Sequence, residues 1–118
     1  MCVHCGLKCI EEYYSSISKS FGDISKEITA KECELGISVY DLVECLRNDG
    51  IKASAYRCYY IYLRAPYIIY LPKQKHFMLV KKIGWMVEIY DSNFGAKRIP
   101  FIVYLFIYQN YVITLDNN

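Results

Sequence analysis

HFMLVKKIGWMVEIYD, residues 76 to 91, carries the pattern from which the rest of the architecture can be worked out. Two apolar runs, HFMLVKK (76–82) and WMVEIYD (85–91), are joined through Gly84 in the pattern of a β-hairpin. Upstream, YIIYL (67–71) lies between Pro66 and Pro72, and IKASAYR (51–57) alternates as a half-buried strand does. Before Gly50 the period is different. Cys9, Ile10, Tyr13, Tyr14 and Ile17 recur at helical spacing and predict a helix beginning near Cys5, and Asp23 to Lys31 predict a second, short one. Ser38 and Asp41 form a capping-box pattern, with Asp in place of the usual Glu or Gln. Val39, Leu42, Val43 and Leu46 then make one apolar stripe, and NDG (48–50) supplies the stop. Helices first and strands later predict an α+β fold, with N-terminal helices packed on an antiparallel β-sheet.

The 118 residues are read as a single domain over 1–118, long enough for a modest core. With 54% hydrophobic residues and 13 tyrosines the chain does not read as disordered, and a net charge of +2 gives no reason to expect a nucleic-acid partner. The six cysteines are Cys2, Cys5, Cys9, Cys33, Cys45 and Cys58. No secretory apolar region follows the start, because Cys9 and Ile10 lead straight into Glu11 and Glu12, so the thiols are expected to be reduced and the compartment cytoplasmic. Cys33, Cys45 and Cys58 are expected to be small core residues. The longest apolar run, IPFIVYLFIYQNYVITL (99–115), is broken by Gln109 and Asn110 and falls short of the roughly 18 apolar residues a membrane span requires.

The chemistry begins at HCGLKC (4–9). Cys5 is predicted at a helix N-terminus, where unsatisfied N–H groups and the helix dipole favour a thiolate and can receive a developing oxyanion. The oxyanion donors would be the backbone N–H groups of Cys5 and Gly6, with Gly6 keeping the approach to the thiol uncrowded. A cysteine nucleophile needs a base and a group that orients the base. Of the two histidines, His4 adjoins Cys5 and its side chain should diverge. His76 opens one predicted strand and Asp91 ends the next, so a tight hairpin at Gly84 would set them nearly opposite each other. A plainer description fits the same residues: a cysteine at a helix start, a satisfied strand-end histidine and a turn aspartate. A metal reading of Cys2, Cys5, Cys9 and His4 is weaker, because no second ligand pair follows at zinc-ribbon spacing and His76 would complete only an irregular site. No metal and no cofactor are expected.

Taken together, several segments resemble the peptidase C39 family, papain-like cysteine peptidase domains usually found at the N-terminus of bacteriocin-exporting ABC transporters. HCGLKC matches the family's C-G-x-A-C at Cys5, Gly6 and Cys9. GISVYDL (36–42) is similar to G-T-S-L-L-G-L, KHFMLV (75–80) to G-H-F-V-V-L, and DSNFG (91–95) to D-P-x-x-G. Order and spacing hold over nearly the whole chain, and the family's closing short helix and strand align with PFIVYLFIY (100–108), including Tyr104 and Tyr108, and with YVITL (111–115). The resemblance implies a papain-like fold, Cys5 as nucleophile, His76 as base and Asp91 as orienting group. It also implies a leader peptide as substrate, cut after a Gly-Gly pair.

The departures are specific. The family's oxyanion glutamine, six residues before the nucleophile, falls before Met1, and losing one oxyanion donor typically costs ~10²–10³ in rate. Gln74 and Asn93 are the nominated substitute amides. His4 and Lys8 replace an acidic and a small residue. The last helix carries Ile102, Val103, Phe106 and Ile107 where polar residues are common. Either one face meets a partner (a second copy, a transporter membrane region or a hydrophobic peptide, through Phe101 to Tyr108), or the short chain buries the helix more deeply. Three functions follow as expectations: a peptidase acting in peptide export, a catalytically weak domain that binds a leader or docks on a transporter, and an acyl transferase using Cys5. The peptidase would lie in the cytoplasm, at the inner face of the membrane if it is joined to an exporter.

Overall fold

In the computed structural model, which describes residues 3–57, 64–107 and 111–116, the period of the first half becomes three helices. Helix α1 (Cys5–Ser16) buries Cys5, Gly6, Cys9, Ile10, Tyr13 and Tyr14 on one face, as their spacing requires. Helix α2 (Gly22–Lys31) buries only Ile24 and Ile28. Helix α3 (Val39–Asn48) opens on Ser38, whose Oγ accepts the Asp41 N–H at 3.1 Å, a cap that contributes about 1 kcal/mol. It ends at the NDG stop: Gly50 has φ 86°, in the left-handed region that glycine enters without a Cβ penalty, and its N–H returns to the Arg47 carbonyl.

The second half supplies strands β1 (Lys52–Arg57), β2 (Tyr67–Leu71), β3 (His76–Lys82), β4 (Met86–Asp91) and β5 (Gly95–Pro100), then helix α4 (Phe101–Ile107) and strand β6 (Tyr111–Asp116). They form a six-stranded sheet in the order β1-β6-β2-β3-β4-β5, with every neighbouring pair antiparallel. Strand β5 goes beyond the predicted strands. Its Gly-Ala-Lys-Arg composition has low strand propensity, and its pairing with β4 holds it extended at the sheet edge. Strand β1, at the other edge, does not bury alternate residues as expected; Ala53 is its buried position.

Apolar residues fill both faces of the sheet. On one face α1, α2 and α3 pack against Ile68, Phe77, Leu79 and Ile113. On the other, α4 sets Tyr104 against Tyr67, Ile69, Met78, Val80 and Val112. Covered on both sides, β3 is buried without a break from His76 to Val80. Among the described residues no helix is long and apolar enough to cross a membrane.

One expectation is corrected, and one alternative that the sequence leaves open is decided. Cys45 is a core residue, but Cys33 is exposed in a turn, its thiol 3.2 Å from the Gly36 carbonyl; Cys2 and Cys58 lie outside the described residues. Helix α4 is not buried all round. It contacts the sheet through Phe101 and Tyr104, leaving Ile102 65% and Phe106 84% exposed, because among the described residues no second layer covers its outer side. Tyr108 and the Ile107 side chain lie outside what the structure describes.

Gly6 sets the distance between α1 and its neighbours. A Cβ there would stand 2.8 Å from Ile37 Cγ2, and 3.6 Å from Leu42 Cδ2 and Phe77 Cδ2. The missing side chain therefore faces the core, which corrects the expectation that Gly6 clears the approach to the thiol. Ile37 is buried and β-branched, so it yields poorly. In Gly6→Ala the clash, costing ~1–3 kcal/mol, outweighs the helix-propensity gain of at most ~1 kcal/mol. A thermal melt should show Tm lower by roughly 5 °C.

The buried tyrosines make stability pH-dependent. Tyr67 and Tyr104 share a hydroxyl–hydroxyl hydrogen bond of 2.5 Å, and Tyr14 donates to Asp49 at 2.6 Å. Burial pushes the Tyr67 phenol up to about 12. Burial, then the bond to its partner, raises Tyr104 and Tyr14 further. Folded pKa values above the unfolded value of 10.0 mean that the folded state holds the protons more tightly, so this stability is complete below pH 10 and is lost as pH rises beyond it. The urea midpoint should hold to about pH 9 and fall above about pH 10, and a Tyr67→Phe, Tyr104→Phe double variant should lose less over the same range.

Candidate active site

Cys5 is the first residue of α1 and 1% exposed. Its Sγ lies 3.0 Å from His76 Nδ1, across 71 residues of sequence. The other imidazole nitrogen, Nε2, is 3.1 Å from Asp91 Oδ1. His76 and Asp91 are both buried polar residues, so the three side chains form one line from a helix start to two strand ends.

Local structure fixes each member. The α1 ladder begins with the Lys8 N–H on the His4 carbonyl at 2.9 Å, so the N–H groups of Cys5 and Gly6 precede it at the positive end of the helix dipole. His76 follows a four-residue connection in which Lys75 adopts φ 49°, an uncommon conformation for a non-glycine residue, before the chain enters β3. Asp91 ends β4 and begins a β-turn. Its Oδ1 accepts the Asn93 N–H at 2.9 Å, and its carbonyl accepts the Phe94 N–H at 3.2 Å.

The expected register is off by two residues. Asp91 stands opposite Met78, not His76, because the ladder shifts between Val80 and Lys82, where Lys82 pairs with Glu88 inside β4. The carboxylate meets the imidazole on the diagonal, within reach of the longer side chain.

The electrostatics follow from the inventory of donors. An ionised carboxylate only accepts, so Asp91 holds the Nε2–H tautomer and leaves the Nδ1 lone pair facing the thiol. If the thiol proton moves to Nδ1, the imidazolium lies between a thiolate and a carboxylate, each of which stabilises it.

The remaining nominated residues lie elsewhere. His4 diverges from Cys5 and places Nδ1 2.8 Å from Glu32 Oε2. Cys9 is buried in the helix-side core, and Lys8 is exposed. Cys9 and His4 thus do not join Cys5 and His76 as a ligand set, and no group of three or more His, Cys, Asp or Glu that could hold a metal ion occurs among the described residues. Gln74 is exposed in the β2–β3 connection, and Asn93 serves Asp91 through its backbone. One residue had no signal in the sequence: Ser92, whose Oγ donates to Cys5 Sγ at 3.2 Å. A serine after a turn aspartate is ordinary, and only the fold brings it to the sulfur.

No family model and no curated protein matches the sequence. Solved structures do match. The double-glycine motif protease of an AMS/PCAT transporter, crystallised with the leader peptide, superposes with a TM-score of 0.80 at 18% identity, over 100% of this chain and 87% of that one. The peptidase domain of Streptococcus ComA, a bi-functional ABC transporter of a quorum sensing pathway, gives 0.77 at 15% identity, over 98% and 93%. The N-terminal peptidase C39 like domain of a toxin secretion ATP-binding protein from Vibrio parahaemolyticus gives 0.70 at 15%, over 95% and 93%. At these identities the likeness is one of architecture: the four helices and six-stranded antiparallel sheet of the described residues give this chain the α+β fold of the peptidase C39 domains of ABC transporters.

Proposed function

We propose that residues 1–118 act as one cysteine peptidase domain that cuts leader peptides after a Gly-Gly pair in the course of peptide export. The observation that carries this reading is the line Cys5–His76–Asp91, with contacts of 3.0 and 3.1 Å inside a C39-type fold. His76 Nδ1 takes the Cys5 proton, and the thiolate forms a C–S bond to the carbonyl carbon of the second glycine. The N–H groups of Cys5 and Gly6 receive the oxyanion. The imidazolium then returns its proton to the leaving amine as the C–N bond breaks, and water, deprotonated by His76, releases the acyl-enzyme. Two glycines before the cut suit a slot that admits no side chain.

The same acyl-enzyme would serve transfer to another acceptor, and the fold alone would serve leader binding. Exposed Ile102, Val103 and Phe106 favour a docking role beside catalysis, on a transporter membrane region or a second copy, which would keep the domain at the cytoplasmic face of the membrane.

Iodoacetamide labelling against pH, resolved by peptide mapping, tests the nucleophile, with exposed Cys33 as the internal reference. Cys5 should reach its plateau at least one unit below the usual thiol value of about 8.5, and His76→Ala should return it to that value. A peptide carrying an internal Gly-Gly should be cut after the second glycine by the intact chain and not by Cys5→Ala. Cys5 titrating with Cys33, or ignoring His76→Ala, would sink the reading. Leader binding without cleavage would favour the binding domain.

Asp91 offers a graded check. Asp91 Oδ1 accepts from both His76 and the Asn93 N–H, and an amide oxygen can accept the same two bonds without the charge. Asp91→Asn should therefore lower kcat/KM by about 10-fold, and Asp91→Ala by about 10²-fold or more.

A further inference from the structure

We propose that the Ser92 hydroxyl belongs to the catalytic machinery, as the hydrogen-bond donor that, with His76, holds the Cys5 sulfur as a thiolate. The inference rests on the reading of Cys5 as nucleophile and goes beyond the Cys–His–Asp line.

Three observations carry it. The Ser92 hydroxyl donates to Cys5 Sγ at 3.2 Å, within the range of a hydrogen bond to sulfur. His76 Nδ1 lies 3.0 Å from the same sulfur, so hydroxyl and imidazole both reach it. Finally, the turn that aims Ser92 is the one that fixes Asp91: the bonds from the Asn93 and Phe94 N–H groups to Asp91 close residues 91 to 94 and put Ser92 at the first central position. One short turn thereby supplies both the group that orients the base and a group that touches the nucleophile.

The chemistry gives this contact a direction. A neutral thiol is a weak acceptor, whereas a thiolate accepts strongly, and a donor that binds the charged form better favours that form. Deprotonation moves the thiol proton to His76 Nδ1, leaving the sulfur within reach of both an imidazolium N–H and the Ser92 O–H. The hydroxyl loses no proton; it contributes a fixed dipole in a site where Cys5, His76 and Asp91 are all buried. The first central position of a β-turn is one that proline favours, because its ring presets φ. Serine forgoes that local advantage and supplies a hydroxyl instead.

The test compares the pH profile of Cys5 labelling in the intact chain with those of Ser92→Ala, Ser92→Thr and His76→Ala, alongside the ultraviolet absorbance of the thiolate and the urea midpoint. Ser92→Ala should move the Cys5 profile up by about one pH unit, a tenfold lower rate on its acid side, while the urea midpoint stays near that of the intact chain. Ser92→Thr, which keeps the hydroxyl, should restore the profile. If Ser92→Ala leaves the profile in place while His76→Ala moves it, the Ser92 inference falls and the nucleophile reading stands. If Ser92→Thr shifts as far as Ser92→Ala, packing and not the hydroxyl is responsible, and the inference falls. If Cys5 in the intact chain titrates with Cys33, both fall.

Discussion

The start of α1 lies so close to the rest of the core that residue 6 has no room for a methyl group. This approach governs the molecule. It brings the first turn of a helix against Ile37 from the segment before α3 and Phe77 from β3, tying three parts of the chain into one layer. It also carries Cys5 to the end of the strand on which His76 sits. With α1 displaced outward by even the width of a side chain, the 3.0 Å contact would open, and the imidazole could no longer act on the sulfur.

The sheet does the complementary work. Strand β3 is held between β2 and β4 and covered by helices on both faces, so His76 is presented from a rigid element. The turn after β4 does for Asp91 what β3 does for His76, because the carboxylate that orients the imidazole is itself pinned by the Asn93 N–H. Hydrogen bonds therefore run from a backbone amide through the carboxylate and the imidazole to a thiol at a helix start. A chain of this kind polarises along its length, and each member limits the freedom of the next.

Much of this was legible in the chain. Helical spacing placed α1, Ser38 and Asp41 capped α3, and Asn48-Asp49-Gly50 stopped it, because each depends on residues within one or two turns of one another. The paired apolar runs around Gly84 gave β3 and β4 for the same reason. The readings that failed depended on distant packing. Residue type predicts Cys33 in the core, but its turn lies at the surface. Strand β5 has little strand propensity and owes its form to β4. The composition of α4 left burial or a partner equally open, and the layer structure decided that its outer side is exposed.

At the candidate site the division is the same. Local pattern alone sets the kinds of residue and the elements that bear them: a cysteine opening a helix, a histidine opening a strand and an aspartate closing the next, since periodicity, caps and turns are local properties. Only the tertiary structure decided that Asp91 meets His76 on the diagonal, that His4 turns away to Glu32, and that Ser92 reaches the sulfur. Those relations depend on the strand register set by a ladder irregularity and on the close approach of α1 to β3. Both are fixed by packing among residues far apart in the chain, where local patterns carry no information.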